Sequence, residues 1–364
     1  MSTQTKHREI RDALLEEIKK GRYLDASRFP SDVALARRFK TSRQTVVRAV
    51  AELQILGYLS RCRGSGTYLT AKARKVGGII GMILPISGSE VFHPICREIT
   101  QLAQADGCSI LLADIIAVDP LRRIEEIRRV AKSFVDNRVK GIVFHPVDCI
   151  PDARQINSAA LSIFSEAGIP LVLVDCDCVD HPRRSEYDVV GADDFDAGYR
   201  IAKLTQKRGA RRALFALVKN VGASWNNRCR GARAAFAEQR LTFRDIMVKP
   251  YDMGAIRKAI PRFRPDAIIC GNDHLASELM LALEDAGVNV PGDVMVAGFD
   301  DVNYARLTRP GITSARQPCA EIGAAAYGTL MERIEFPKLP ARTVLLKTNI
   351  MERASTLRKG KVEK

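Results

Sequence analysis

Apolar positions change period twice along this chain. In the first 70 residues Ile10, Leu14, Leu15 and Ile18 recur at the i, i+4 spacing of an amphipathic helix that Gly21 ends. Ser31 stands as an N-cap before a stripe of Val33, Leu35, Ala36 and Phe39. Thr41-Ser42 is a second cap, with Thr45 three residues beyond Ser42. A longer helical pattern follows through Val46, Val47, Val50, Leu53, Ile55 and Leu56, and Gly57 closes it. The period then drops to two: Tyr58-Leu59-Ser60-Arg61 and Thr67-Tyr68-Leu69 read as strands around Arg63-Gly64-Ser65-Gly66. Two helices joined by a short turn and followed by a hairpin predict a winged helix-turn-helix over residues 1–70.

From residue 79 the pattern becomes short buried strands alternating with helices. Strands are expected at 79–84, 109–113, 141–144, 170–174, 189–190, 213–217, 246–248, 267–270 and 294–297, with helices between them. Such alternation builds βαβ units and parallel sheets covered on both faces. Two doubly wound runs in series predict an α/β body of two lobes, with ligands held beyond the carboxyl ends of the strands. Residues 71–77, including Ala71-Lys72-Ala73-Arg74-Lys75, read as a polar linker.

Charge adds a partner to this picture. The chain carries +15, yet residues 1–75 hold 17 Lys/Arg against 7 Asp/Glu, so the excess is concentrated in the head. A basic head on a near-neutral body is the electrostatic footprint of a DNA-binding module. On the second helix Ser42, Arg43, Gln44, Thr45 and Arg48 form a polar face at the end that meets base edges in this motif. Arg43 has the paired donors suited to guanine, and Gln44 the amide suited to adenine. Arg37, Arg38 and Lys40 suit phosphates, and Arg63, Gly64, Ser65 and Gly66 form a flexible basic wing tip.

The head resembles the GntR family of winged-helix regulators. The resemblance lies in Leu14, Gly21, Tyr23, Pro30-Ser31, Leu35-Ala36, Phe39, Ser42-Arg43, Thr45-Val46, Ala49, Leu53, Gly57, Arg61 and Gly64-Ser65-Gly66-Thr67. It departs at Ala26-Ser27-Arg28-Phe29, where the family's turn glycine is missing. The body resembles the ligand-binding core of the LacI/GalR family. Gly168-Ile169-Pro170, Ala197-Gly198, Arg228-x-x-Gly231, the run from Pro265 to Ala276, Val290-Pro291-Gly292-Asp293 and Gly298-Phe299-Asp300-Asp301 carry that resemblance. It implies a periplasmic-binding-protein-like fold over 78–352, the chain crossing between lobes three times. Lobe 1 would take 78–185 and 317–334, lobe 2 would take 186–316 and 335–352, and 353–364 would be a tail.

The same resemblance implies ligand contacts at Phe92, Asp175, Arg228, Asn272 and Asp300; Trp225, the sole tryptophan, could stack on a sugar face. Asp273 could be a cap or an interlobe bond, and Asp301 a structural residue. Carboxylates, amides and a guanidinium fit a sugar or similar effector, though a nucleobase or sugar phosphate would use overlapping groups. The expected partners are double-stranded operator DNA, this effector and a second copy of the chain, the last from operator symmetry.

Other classes fit less well. Gly77-Gly78-Ile79-Ile80-Gly81 precedes its strand, unlike a dinucleotide fingerprint, and no P-loop or Gly-x-Ser-x-Gly elbow occurs. No catalytic residue and no cofactor is expected. Nine scattered cysteines read as reduced thiols, and Cys176-Asp177-Cys178 lacks metal-ligand spacing, so no metal is expected. A polar N-terminus and the lack of a long apolar run predict a cytoplasmic protein without a membrane span. A transport binding protein would need a secretion signal and no basic head.

Overall fold

The computed structural model describes residues 3–19, 22–23, 28–62, 66–70, 78–115, 119–179, 182–219, 221–249, 252 and 254–357. The head comprises helices α1 (Thr3–Lys19), α2 (Asp32–Arg38) and α3 (Arg43–Ile55) and an antiparallel hairpin of β1 (Leu59–Cys62) and β2 (Gly66–Leu69). Both caps form as the sequence implies: Ser31 Oγ accepts from the Ala34 N–H and Ser42 Oγ from that of Thr45. Ile10, Leu14, Ile18, Leu35, Val46, Val50 and Leu53 make the small core. Val33 departs from the expected stripe at 45% exposed. Two residues along a helix is about 200°, so Val33 points away once Leu35 points in. The wing-tip residues Arg63, Gly64 and Ser65, the linker and the extreme C-terminus lie outside the described residues.

Two six-stranded sheets build the body. The first runs β4-β3-β5-β6-β7-β13 and is parallel throughout: β3 is Gly78–Ile83, β4 Cys108–Ala113, β5 Gly141–Phe144, β6 Leu171–Val174, β7 Asp188–Ala192 and β13 Thr343–Leu346. Helices α4 (Phe92–Ala105), α5 (Pro120–Asp136), α6 (Ala153–Glu166) and α12 (Cys319–Glu335) cover it. The second runs β9-β8-β10-β11-β12-β14, with β8 Arg212–Val218, β9 Thr242–Val248, β10 Ala267–Cys270, β11 Met295–Asp300, β12 Thr313–Arg316 and an antiparallel β14, Asn349–Met351. Helices α7 (Asp194–Lys207), α8 (Ala223–Glu238), α9 (Gly254–Phe263), α10 (Asp273–Asp285) and α11 (Asn303–Leu307) pack on it. Central strands are fully buried, which is why they read as unbroken apolar runs.

The chain passes from the first sheet to the second after β7, returns between β12 and α12, and leaves again between β13 and β14. β7 pairs with β6, Val172 opposite Asp188, so the first crossing falls at residue 193 rather than 185. β13 pairs with β7 in lobe 1, which places residues 343–346 there and the last crossing just after them. The expected tail from 353 is a further correction. Ser355 and Thr356 are buried; Ser355 Oγ donates to the Val296 carbonyl and accepts from the Thr313 N–H. Hydroxyl bonds rather than an apolar stripe hold this segment.

Two glycines let lobe 2 close around its site. A Cβ at Gly198 would lie 1.9 Å from the Arg228 carbonyl oxygen, and one at Gly231 2.0 Å from that of Phe195. α7 and α8 therefore run backbone to backbone, which brings Asp194 and Arg228 together. No described helix is long and apolar enough to cross a membrane.

Candidate functional site

The candidate DNA face lies on α3. Arg43, Gln44 and Arg48 are exposed, as are Ser42 before them and Arg37 on α2. Thr45 is a correction: it is buried, with its Oγ1 2.8 Å from Ser42 Oγ, so it closes the cap instead of facing outward. Arg38 is also committed elsewhere, bonding Glu17 and the Tyr23 hydroxyl. Gly66 begins β2 with φ +129°, a conformation open to glycine.

In the body, the carboxyl ends of both sheets face one another. Arg228 is the centre of this cleft and is only 2% exposed. Its Nε donates to Asp194 Oδ1 at 2.7 Å and its Nη1 to the Gly271 carbonyl at 2.8 Å; its Nη2 lies 3.0 Å from Asp300 Oδ1. The guanidinium also stacks 4.9 Å above the Phe299 ring. Asp300, with φ +98°, accepts a second bond from Gln317 Nε2 at 2.8 Å. Asp175, with φ +74°, faces this group from lobe 1, its Oδ2 3.7 Å from His145 Nε2. Three carboxylates thus surround one guanidinium.

Their proton affinities differ with their partners. Burial and the charges of Asp175 and Asp300 push Asp194 up to about 7, against the pull of Arg228. Burial also works on Asp175, but its bond to His145 and the charges of His145 and Arg228 outweigh that and hold it below the usual range. A raised carboxyl pKa means the folded state holds the proton more tightly. That contribution to stability is full below the ordinary carboxylate range and is lost as pH rises through about 7. Wild type is therefore expected to lose up to ~1.4 kcal/mol per pH unit between pH 5 and 7 from this group, and Asp194→Asn to lack the slope. Melts across that range check it; parallel curves would show Asp194 ionised throughout.

Of the six expected effector residues, the fold brings Asp175, Arg228 and Asp300 together. Asn272 is instead the N-cap of α10, its Oδ1 accepting from the Leu275 N–H at 2.9 Å. Its neighbour Asp273 turns inward and is fully buried. Asp273 Oδ2 accepts from Ser314 Oγ and the Val302 N–H, while burial and then Asp300 push its pKa well up. Trp225 lies on Gly271, where a Cβ would sit 2.0 Å from the indole, and packs between the two lobe 2 cores. Phe92 is buried in lobe 1, edge-on to His145 at 4.5 Å.

Sequence reading singled out neither Asp194 nor Asp148 as a cleft residue, whereas His145, which follows a strand, could be expected to face the cleft. Asp194 opens a helix just after a strand, the usual position of a ligand-facing group, and that was the available signal. The lobes touch: Glu90 Oε2 accepts from the Asn303 N–H at 3.1 Å, and Asp148 occupies the space over Gly222. Around the contact lie cavities of about 230 Å³ beside Asp175, Asp194, Ser224 and Asn227, and about 220 Å³ beside Asp114, Arg123, His145 and Asp148.

Comparison with known proteins agrees with both halves. Residues 6–69 match the model of the gntR family of bacterial regulatory proteins, and residues 202–356 that of the periplasmic binding protein-like domain. An arabinose metabolism transcriptional repressor of Geobacillus stearothermophilus is 24% identical over 354 residues, 92% of either chain. The HTH-type transcriptional repressor PurR of Vibrio cholerae is 25% identical over 281 residues, 75% of this chain and 79% of its own. Among solved structures, a periplasmic binding protein/LacI transcriptional regulator of Alkaliphilus metalliredigens complexed with D-xylulofuranose superposes with a TM-score of 0.63 at 19% identity, over 77% of this chain and all of that one. The transcriptional regulator CelR–cellobiose complex superposes with a TM-score of 0.64 at 20% identity, over 86% of this chain and 90% of its own. These likenesses to structures show the fold. The chain is a transcriptional regulator that joins a gntR-family DNA-binding head to a periplasmic binding protein-like body.

Proposed function

We propose that this chain is a cytoplasmic repressor, working as a homodimer, whose hold on operator DNA is set by a small polar effector in the cleft between the lobes. One observation carries the reading. Asp175 from lobe 1 and Arg228 and Asp300 from lobe 2 converge at the carboxyl ends of facing sheets, in a chain that also bears an exposed recognition helix. The chemistry favours a hydroxyl-rich ligand. The guanidinium of Arg228 is already neutralised by its own carboxylates, and Asp175, Asp194 and Asp300 offer acceptors for O–H groups, while Arg183, Arg184 and Arg230 line the cavity beside them. The relatives named for arabinose metabolism and the solved complexes with cellobiose and D-xylulofuranose support a sugar or derivative. A site of satisfied ion pairs suits binding rather than turnover.

Effector binding would shift the balance of lobe arrangements only by its difference in affinity for them, and the heads would follow. Gel shifts with the chain's own promoter region, with and without pentoses and disaccharides, test the reading. Lack of sequence-selective DNA binding at any salt concentration would overturn it. Arg43→Ala is expected to cost ~1–3 kcal/mol of discrimination at one base pair and leave the others unchanged. Equal weakening on all sequences would make Arg43 a phosphate contact.

A further inference from the structure

The fold assembles one cluster that no spacing in the sequence announces. His145 follows β5, Asp148 lies three residues on, and Cys176 follows β6. β5 and β6 are paired neighbours, Phe144 opposite Leu173, so their ends meet at the floor of the lobe 1 face. There a ring nitrogen of His145, a carboxylate oxygen of Asp148 and the Cys176 sulfur all lie within 4.8 Å of one another. His145 is 7% and Cys176 5% exposed, so water competes weakly for the site. Asp175 Oδ2 stands 3.7 Å from His145 Nε2, a carboxylate placed to orient the imidazole.

The geometry points to a divalent transition-metal site of the zinc type, with His145, Asp148 and Cys176 as ligands. A thiolate, an imidazole and a carboxylate are the donors that zinc accepts; magnesium and calcium prefer oxygen alone. Metal–ligand bonds of ~2.0–2.3 Å bring tetrahedral ligands within about 4 Å of each other, so only small side-chain rotations are needed. Three protein ligands leave one position open, as in sites that also bind a small molecule. Asp148 is the interlobe member: a Cβ at Gly222 would lie 1.7 Å from its Oδ2, so lobe 2 presses on the cluster through a glycine. An ion held here would sit between the lobes and tie metal occupancy to cleft closure.

The test uses the full chain, stripped with a chelator and dialysed. Co²⁺ titration is expected to give a thiolate-to-metal charge-transfer band that saturates at one ion per chain. Zn²⁺ should displace it, with its affinity measured against a chelating dye. Cys176→Ser should abolish the band, and His145→Gln should weaken Zn²⁺ binding at least about tenfold. Cys149→Ser, beside the cluster, should keep both. Metal-free melts establish that each variant folds. Absence of one-to-one uptake, or an unchanged band in Cys176→Ser, would overturn the site. Operator binding by the metal-free chain is measured separately, so failure of the metal site and failure of the repressor reading are distinguishable.

Discussion

Replacing Arg228 by alanine is expected to lower the stability of the body by ~3–5 kcal/mol, well beyond the loss of a ligand contact. The reason is what the guanidinium leaves behind. Asp194 and Asp300 lose their charge partner, and the Gly271 carbonyl loses its donor, all where solvent is excluded. Burial opposes the positive charge, yet Asp300 and Asp194 more than offset it and raise the Arg228 pKa. Removing one member of a buried ion pair exposes the full desolvation cost of the others. Lysine would not repair the site, since one ammonium cannot fork between Asp194 and Asp300. The double variant with Asp194→Asn should recover part of the loss, because one orphaned charge goes with its partner. Denaturant unfolding of the single and double variants measures the coupling. A cost below ~1 kcal/mol for Arg228→Ala would mean that the network is open in solution.

This expectation differs from what the sequence suggests, where Arg228 reads as a hand held out to a ligand. Residue type and position at a strand end were legible; the 34-residue link between Arg228 and Asp194 was not. It depends on how closely α7 and α8 approach, and Gly198 and Gly231 act there through absence of side chains. The fold as a whole was legible because each buried strand and amphipathic helix declares its own period. Lobe assignment was harder. β7 and β13 join lobe 1 through pairing with β6 and with each other, and a buried strand's apolar run says nothing about which sheet it enters. Asn272 and Asp273 show the limit at single residues. Both suit a cap or a cleft, and the phase of α10 decides that Asn272 caps while Asp273 turns inward.

Asp301→Ala is the second large effect expected, again ~3–5 kcal/mol, and it acts at the C-terminal end of the chain rather than in the cleft. The Asp301 side chain is fully buried among arginines from three places. Arg316 Nε approaches Oδ2 at 2.7 Å, Arg306 Nη2 approaches it at 3.3 Å, and Arg353 bonds Oδ1. The last of these fastens the segment after β14, so loss of Asp301 should loosen residues 353–357 and leave Arg353, the most buried of the three arginines, without its carboxylate. Burial alone would raise this carboxyl, but bonds from Arg316 and Arg353 hold it below its ordinary value. The sign is therefore opposite to that of Asp194. Its contribution is present above the ordinary carboxylate range and is lost as pH falls through the depressed pKa. Asp301→Asn separates charge from backbone, because asparagine tolerates the φ of +56° found here. It should lower stability at neutral pH and remove this part of the acid limb, whereas alanine adds backbone strain. If both variants match wild type in acid melts and in trypsin cleavage near Arg353, the arginine cluster does not anchor the chain's end.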